Sequence, residues 1–140
     1  MADFERLQAA VEAGDRETAV EITQGAIDEG LDPHAILDPM TEAMGVVGER
    51  FSRQQIFVPE MLIAANAMKA SLELLEPLIA ESGVRAPYTA VIGTVKGDLH
   101  DIGKNLVGMM WRGANFEVID LGVNVSPSSF ADAAREHQPD

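Results

Sequence analysis

Residues 88–105 have the sequence YTAVIGTVKGDLHDIGKN, and this stretch decides the fold of the second half of the chain. Residues 88–95 are mostly apolar and β-branched, which predicts a buried strand. The polar, glycine-containing loop that follows predicts a turn, and the next apolar positions predict a helix over about 103–112. A strand that leads into a helix in this way is the first part of an α/β fold.

The residues that follow repeat this order. Residues 116–120, FEVID, predict a second strand, and Ser126-Pro127 predicts the start of a last helix that ends near His137. This alternation predicts a parallel sheet with right-handed connections. Doubly wound sheets usually contain about five or six strands, so residues 85–140 are predicted to form a truncated Rossmann-like (flavodoxin-like) module. We therefore expect a fragment of a longer protein, or a homo-oligomer that completes the sheet.

The first half of the chain, residues 1–84, has a different pattern. Its apolar residues recur at spacings of three and four, which predicts a four-helix bundle. The predicted helices span about 3–13, 15–29 and 38–51, and a long fourth helix starts near 58 and keeps its apolar spacing through Ile79. Asp32-Pro33 and Asp38-Pro39 each resemble a helix N-cap followed by proline, and the second pair is expected to open the third helix. The predicted fold class is therefore α + α/β.

Composition excludes several classes of protein. The 140 residues include no cysteine, so disulfides, thiol catalysis and cysteine-based zinc fingers are ruled out. Ten Lys and Arg against 23 Asp and Glu give a net charge of -13, which disfavours nucleic acid as a partner. No apolar run approaches the ~18 residues of a membrane span, and the N-terminal residues do not resemble a secretion signal. We expect a cytoplasmic protein with neither nucleic acid nor membrane as a partner.

The chemistry is concentrated in residues 97–105, GDLHDIGKN, at the carboxyl end of the first predicted strand, where open α/β sheets bind ligands. Asp98 and His100 can point to one side, so that the carboxylate hydrogen-bonds one imidazole nitrogen and the other nitrogen holds a metal. Gly103 leaves room for a bulky ligand. From spacing alone two alternatives stay open. One is a metal-dependent hydrolase that uses Asp98, His100 and Asp101, and the other is an ordinary loop histidine flanked by capping aspartates.

The same loop resembles a known signature. Residues 93–107, GTVKGDLHDIGKNLV, are similar to the DxHxxG motif of cobalamin-binding domains, with Asp98, His100 and Gly103 at its three defining positions. Residues 118–130 look like the second strand and loop of that domain, and residues 56–79 resemble the helical cap that precedes it. The combination is typical of methionine synthase and of corrinoid methyl-carrier proteins. It implies a helical cap domain over 1–84 and the N-terminal part of a cobalamin-binding domain over 85–140.

The resemblance also implies roles for single residues. His100 would be the lower axial ligand of cobalt, through Nε2, and Asp98 would hold the other ring nitrogen. Phe57 resembles the aromatic residue with which the cap shields the methyl group on the upper face. The lower side of the corrin would be lined by four more loop residues: Gly97, Leu99, Asp101 and Gly103. The later serine and paired-glycine motifs that cradle the nucleotide tail in this family are not found here.

The function implied is that of a corrinoid methyl carrier, which is not catalytic alone. It would shuttle a methyl group on methylcobalamin, or another corrinoid, between a substrate-specific methyltransferase and an acceptor methyltransferase that uses tetrahydrofolate or a thiol. A cobalamin-dependent sensor is the alternative within the same resemblance. The metal-dependent hydrolase is the alternative outside it.

Overall fold

The computed structural model describes residues 3–83 and 85–140, and these residues form six helices and two strands. The chain divides between Arg85 and Ala86 into two compact units. The first unit is entirely helical, and the second contains both strands and the last two helices. We refer to them as the helical unit and the α/β unit.

The helical unit contains α1 (Phe4–Ala13), α2 (Arg16–Asp28), α3 (Pro33–Ser52) and α4 (Val58–Ser82). Aspartates begin the first three helices, because the side chains of Asp3, Asp15 and Asp32 each accept a hydrogen bond from a backbone N–H of the first turn. Gly14 ends α1 in the left-handed conformation, which glycine adopts without steric cost. The predicted four-helix bundle is confirmed.

The predicted start of the third helix was wrong. Asp38 and Pro39 lie inside α3, which begins at Pro33 under the cap of Asp32 and continues without a break to Ser52. A proline inside a helix removes the N–H that would bond the carbonyl four residues earlier, which here belongs to Ala35. Ala35 is exposed, so water can satisfy its carbonyl, and Pro39 is itself buried with the core of the helix.

The core of the helical unit consists mostly of apolar side chains that solvent does not reach. Helix α4 packs on α1, α2 and α3, and it contributes Met61, Ala65, Met68 and Leu75 at the predicted spacing. Other large side chains in this core are Leu7, Val11, Ile36, Met40 and Val47. Phe51 departs from the pattern, since it lies one helical turn after Val47 and is nevertheless exposed.

The α/β unit contains β1 (Tyr88–Ile92), α5 (Ile102–Gly113), β2 (Phe116–Asp120) and α6 (Pro127–His137). The strands pair in parallel, with Tyr88 opposite Phe116 and Ile92 opposite Asp120. The first strand is shorter than predicted, because the backbone of residues 93–95 pairs with the loop after β2. In that loop Gly122 accepts from Thr94 N, and Val125 donates to the Thr94 carbonyl.

The α/β unit buries fewer apolar side chains. Among its described residues the buried apolar side chains are Val125 and Ala133, while Thr94 is buried and polar. The rings of Tyr88, Phe116 and Trp111 lie together at the end of the sheet where both strands begin. Across the described part of the chain, no helix combines the length and apolar character that a membrane crossing requires.

Candidate functional site

The site loop, residues 93–101, connects β1 to α5 at the carboxyl end of the strand. It contains an abrupt change of direction at Gly97, whose φ of 88° lies in the left-handed region that favours glycine. The turn is closed by a hydrogen bond from Asp98 N to the Val95 carbonyl, 3.1 Å long. It places the next side chains, from Asp98 onward, immediately before the first turn of α5.

Asp98 and His100 form a hydrogen-bonded pair. The same carboxylate oxygen, Asp98 Oδ1, accepts from His100 N at 2.9 Å and lies 2.5 Å from His100 Nδ1. These two bonds, the backbone one first, hold the pKa of Asp98 below its ordinary value. An ionised carboxylate accepts only, so this contact places a ring proton on Nδ1, and the neutral form of the imidazole then has its lone pair on Nε2.

The imidazole of His100 is directed into solvent. Its side chain is 98% exposed, and Nε2 has no hydrogen-bond partner within residues 3–83 and 85–140. The neighbouring apolar side chains Leu99 and Ile102 are also exposed, at 72% and 83%. A free ring nitrogen between exposed apolar side chains is the surface expected of a site that a large, flat ligand covers.

The residues at the start of α5 are also exposed to solvent. Asp101 is the N-cap residue, but its side chain accepts no capping hydrogen bond, and the residue is exposed. A Cβ added at Gly103 would meet nothing within 4 Å, so the space beside this glycine is free. The predicted site residues Gly97, Asp98, Leu99, His100, Asp101 and Gly103 therefore all lie on one continuous, exposed segment.

A second loop, residues 121–125 after β2, holds this segment in place. The Asn124 side chain accepts from Gly97 N at 2.9 Å, and Asn124 N donates to the Asp98 carbonyl at 3.0 Å. Within the site loop, the Thr94 hydroxyl donates to the His100 carbonyl at 2.7 Å, and the Thr94 backbone is bonded to Gly122 and Val125 of the second loop. Sequence reasoning missed both Thr94 and Asn124, since neither belongs to the motif that identified the loop.

Lys104 holds the beginning of α5 against the end of β2. Its ammonium donates to both carboxylate oxygens of Asp120, at 2.8 and 2.6 Å, and to Asn105 Oδ1 at 2.8 Å. The Lys104 side chain is only 9% exposed. Sequence reasoning did not predict this pairing. The carboxyl ends of parallel strands meet at one edge of a sheet, and this rule could have suggested the pairing with Asp120.

Phe57 lies in the helical unit, separately from the loop. It is the residue before α4, and its N–H donates to Glu60 Oε2 at 3.0 Å. Its side chain is 67% exposed, so it does not belong to the bundle core. With Phe51 and Ile56 it lines a surface depression of about 600 Å³. Phe51 and Phe57 are the exposed aromatic side chains among the described residues of the helical unit.

The hydrolase alternative finds no support in the geometry. Within the described residues, no three His, Asp or Glu side chains converge in a way that could hold a metal ion. Asp98 and His100 bond to each other, and Asp101 stands apart from that pair at the helix N-terminus. A site at which the protein offers a single nitrogen ligand suits a metal ion whose other ligands come from a cofactor.

Comparison with known proteins identifies the family. Two family models described as B12 binding domains match the chain, one over residues 3–76 and the other over residues 88–140. The first match alone covers more than half of the chain, and the chain belongs to the B12 binding domain family. Corrinoids are the cofactor class of that family.

The similar proteins include several corrinoid proteins. A corrinoid protein of Desulfitobacterium hafniense is 36% identical over 97% of this chain and 65% of its own length. Trimethylamine corrinoid protein 2 of Methanosarcina acetivorans is 40% identical over 90% of this chain and 59% of its own length. The chain thus spans about three fifths of these curated relatives.

Solved structures of similar proteins also match this chain. A chain in the methanol:cobalamin methyltransferase complex of Methanosarcina barkeri matches with a TM-score of 0.83 and 31% identity, over 97% of this chain and 53% of that one. A cobalamin-binding protein of Desulfitobacterium hafniense matches with a TM-score of 0.75 and 28% identity, over 99% of this chain and 66% of that one. The predicted fold class and the resemblance to corrinoid proteins are both confirmed.

Proposed function

We propose that this chain belongs to a corrinoid methyl carrier, in which His100 is the lower axial ligand of cobalt. The observation that carries the proposal is the Asp98–His100 pair, which fixes the proton on Nδ1 and leaves an exposed Nε2 without a partner. In this proposal, residues 1–84 are the cap domain. Residues 85–140 are the N-terminal part of the cobalamin-binding domain.

The residues of the loop fit a corrinoid. A flat macrocycle needs one axial donor, apolar contact around it, and room for its edge. His100 Nε2 supplies the donor, Leu99 and Ile102 supply exposed apolar contact, and the open space at Gly103 supplies room. Gly97 and Asp101 complete the lining. His100 Nδ1, the ring nitrogen that would not coordinate cobalt, faces Asp98, and a carboxylate in this position raises the basicity of metal-bound histidine in other proteins.

When bound, the corrinoid supplies a cobalt ion that accepts and releases a methyl group, which is chemistry that no side chain of the chain can supply. The residues of the chain perform the remaining tasks. His100 would hold the metal, and Asp98 would keep the imidazole in the tautomer that can coordinate. Phe57, which is exposed on the helical unit, would shield the methyl group from water.

The partners proposed are two methyltransferases. One would be specific for a small methyl donor, since the similar proteins are named for methylamines and one similar chain was solved in a methanol:cobalamin methyltransferase complex. The other would be an acceptor methyltransferase that uses tetrahydrofolate or a thiol. On this assignment the chain carries the cofactor and orients it, and the catalytic groups for methyl transfer lie on the partners.

The axial ligand can be tested by electron paramagnetic resonance of bound cob(II)alamin. A nitrogen below cobalt splits the signal into triplets when it is ¹⁴N and into doublets when it is ¹⁵N. We expect doublets from the uniformly ¹⁵N-labelled chain and none from labelled His100→Ala. The matched control is His137→Ala, which removes a histidine from the end of α6 in the same unit. Doublets that persist in His100→Ala would overturn the assignment.

A further inference from the structure

Of the residues in the loop after β2, Asn124 makes the most hydrogen bonds to the site loop. Asn124 Oδ1 accepts from Gly97 N, and Asn124 N donates to the Asp98 carbonyl. These two bonds bracket the Gly97–Asp98 dipeptide from both ends. They lie directly before the carboxylate that orients His100, so the position of that carboxylate depends on them.

The backbone of Asn124 is suited to this task. Its φ of 53° lies in the left-handed region, which asparagine tolerates better than most residues with a side chain. Val125, the next residue, is buried, and its N–H donates to the Thr94 carbonyl at 2.8 Å. Asn124 is therefore held on one side by a buried neighbour while its own polar groups face the site loop.

Burial does not order the site loop itself. The His100 side chain is almost fully in solvent, and Leu99 is exposed. Exposed loops gain no apolar contact to offset the entropy of ordering, so hydrogen bonds to a fixed neighbour must set their geometry. Asn124 provides two of these bonds. Within the site loop, the buried residue Thr94 adds a hydrogen bond from its hydroxyl to the His100 carbonyl, on the other side of the Asp98–His100 pair.

We propose that Asn124 is a positioning residue, which fixes the Asp98–His100 pair in its ligating geometry before the corrinoid binds. The inference rests on the proposed function for its consequence, which is tighter axial ligation. Its structural part concerns the chain alone. A ligand that is already oriented loses less conformational freedom on coordination, so the tether strengthens binding without touching the cofactor.

Three variants separate the side chain from the backbone. Asn124→Gly retains the freedom to adopt the left-handed backbone but removes the acceptor Oδ1. Asn124→Asp restores an acceptor oxygen at the same place. The matched control is Asn115→Gly, because Asn115 also has a positive φ, 64°, but lies in the turn between α5 and β2. Unchanged Trp111 fluorescence would show that each variant retains the fold of the α/β unit.

Two measurements then decide the inference. In the chain without cofactor, we expect the Gly97 amide to exchange about five- to ten-fold faster in Asn124→Gly, by analogy with the loss of one hydrogen bond. With hydroxocobalamin, we expect an apparent affinity lower by about the same factor. After reduction, a smaller fraction of bound cob(II)alamin should show the ¹⁵N doublet. Asn124→Asp should recover most of both losses, and Asn115→Gly should match the unaltered chain.

Each other outcome has one meaning. Gly97 exchange that is unchanged in Asn124→Gly would overturn the inference, and so would faster exchange with unaltered ligation. Absence of the ¹⁵N doublet from the unaltered chain would instead overturn the proposed function. In that case the exchange rates would still decide whether Asn124 holds the loop.

Discussion

The two units of the chain are ordered by different forces. In the helical unit, large side chains such as Leu7, Ile36 and Leu75 are completely removed from solvent. In the α/β unit, Val125 and Ala133 are the buried apolar side chains among the residues described. Around its site loop, order comes from hydrogen bonds between two loops and from the ion pair that joins α5 to β2. One unit is therefore stabilised chiefly by apolar burial, and the other unit relies more on polar contacts.

The difference follows from what each region has to do. A bundle core can exclude water from all sides, and its stability grows with the apolar area it buries. A loop that must offer His100 to a ligand cannot be buried before the ligand arrives, so its geometry has to come from its backbone and its neighbours. The exposed apolar side chains Leu99 and Ile102 are the part of that surface that a ligand would cover.

The largest expected effect compares the same substitution in both units. Leu75→Ala should lower the free energy of unfolding by about 2–5 kcal/mol, because it leaves a cavity in a core that excludes solvent. Leu99→Ala, in the exposed loop, should change it by less than about 0.5 kcal/mol. Urea unfolding followed by far-ultraviolet circular dichroism measures the effect of Leu75→Ala, since most helical residues belong to the helical unit. The fluorescence of Trp111, the single tryptophan, measures the effect of Leu99→Ala in the α/β unit. Equal losses would contradict the comparison.

A smaller effect is expected where two helices of the bundle approach closely. Gly14 has a φ of 73°, and a Cβ added there would lie 2.0 Å from Ile63 Cγ2 and 3.1 Å from the Ile63 carbonyl carbon. Gly14→Ala should therefore cost about 2–4 kcal/mol, from backbone strain together with overpacking. Thermal unfolding followed by circular dichroism measures the loss.

Gly30→Ala is the matched control for this substitution. Gly30 has the same φ of 73°, but a Cβ there would meet nothing within 4 Å. Only the backbone term remains, and we expect a loss of about 1 kcal/mol. Combining Gly14→Ala with Ile63→Ala should recover part of the difference, since it removes the closest atom. If Gly14→Ala costs no more than Gly30→Ala, packing space does not limit this helix contact.

The contrast between the units also explains what the sequence could predict. Apolar burial leaves a periodic pattern, so the four helices and the seam of Met61, Met68 and Leu75 were predicted from spacing alone. Both strands were located because they are short β-branched runs. The start of α3 was misplaced because the Asp38-Pro39 pair satisfies the rule for a helix start as well as Asp32-Pro33 does. The burial of Pro39 against the bundle is a tertiary effect.

The candidate site was also predicted in part: its loop was located from the sequence, and the contacts that hold the loop were not. The loop of Asp98, His100 and Gly103 was located by a short motif and by its position after a strand. The hydrogen bonds that hold this loop were not predicted, because the bond from Gly97 to Asn124 joins residues 27 positions apart and has no periodic signature. Lys104 and Asp120, 16 positions apart, were also left unpaired. Polar contacts between loops become visible only when the strands have been placed side by side.

The smallest expected effect tests whether such a contact stabilises the α/β unit. The Lys104 ammonium, followed by the Gly122 N–H, holds the pKa of Asp120 below its ordinary value of 3.8. Lys104→Met keeps most of the aliphatic stem but removes the charge, and Asp120 is about one-third exposed. We expect a loss of about 1–2 kcal/mol at pH 7, read from urea unfolding followed by the fluorescence of Trp111, the single tryptophan.

The pH dependence gives this prediction its sign. A carboxylate whose pKa is lowered on folding adds stability above its unfolded pKa, and that contribution is lost as pH falls through the lower, folded value. The difference between the unaltered chain and Lys104→Met should therefore be full above about pH 5 and shrink steadily as the solution is acidified below 3.8. Arg135→Met is the matched control, because its ion pair with Asp132 is three-quarters exposed on both sides and should contribute almost nothing at any pH. If the loss of unfolding free energy in Lys104→Met stays constant down to acidic pH, the lysine acts through packing of its stem and not through its charge. The hydrogen bonds between the two loops would then be the remaining evidence that polar contacts order this unit.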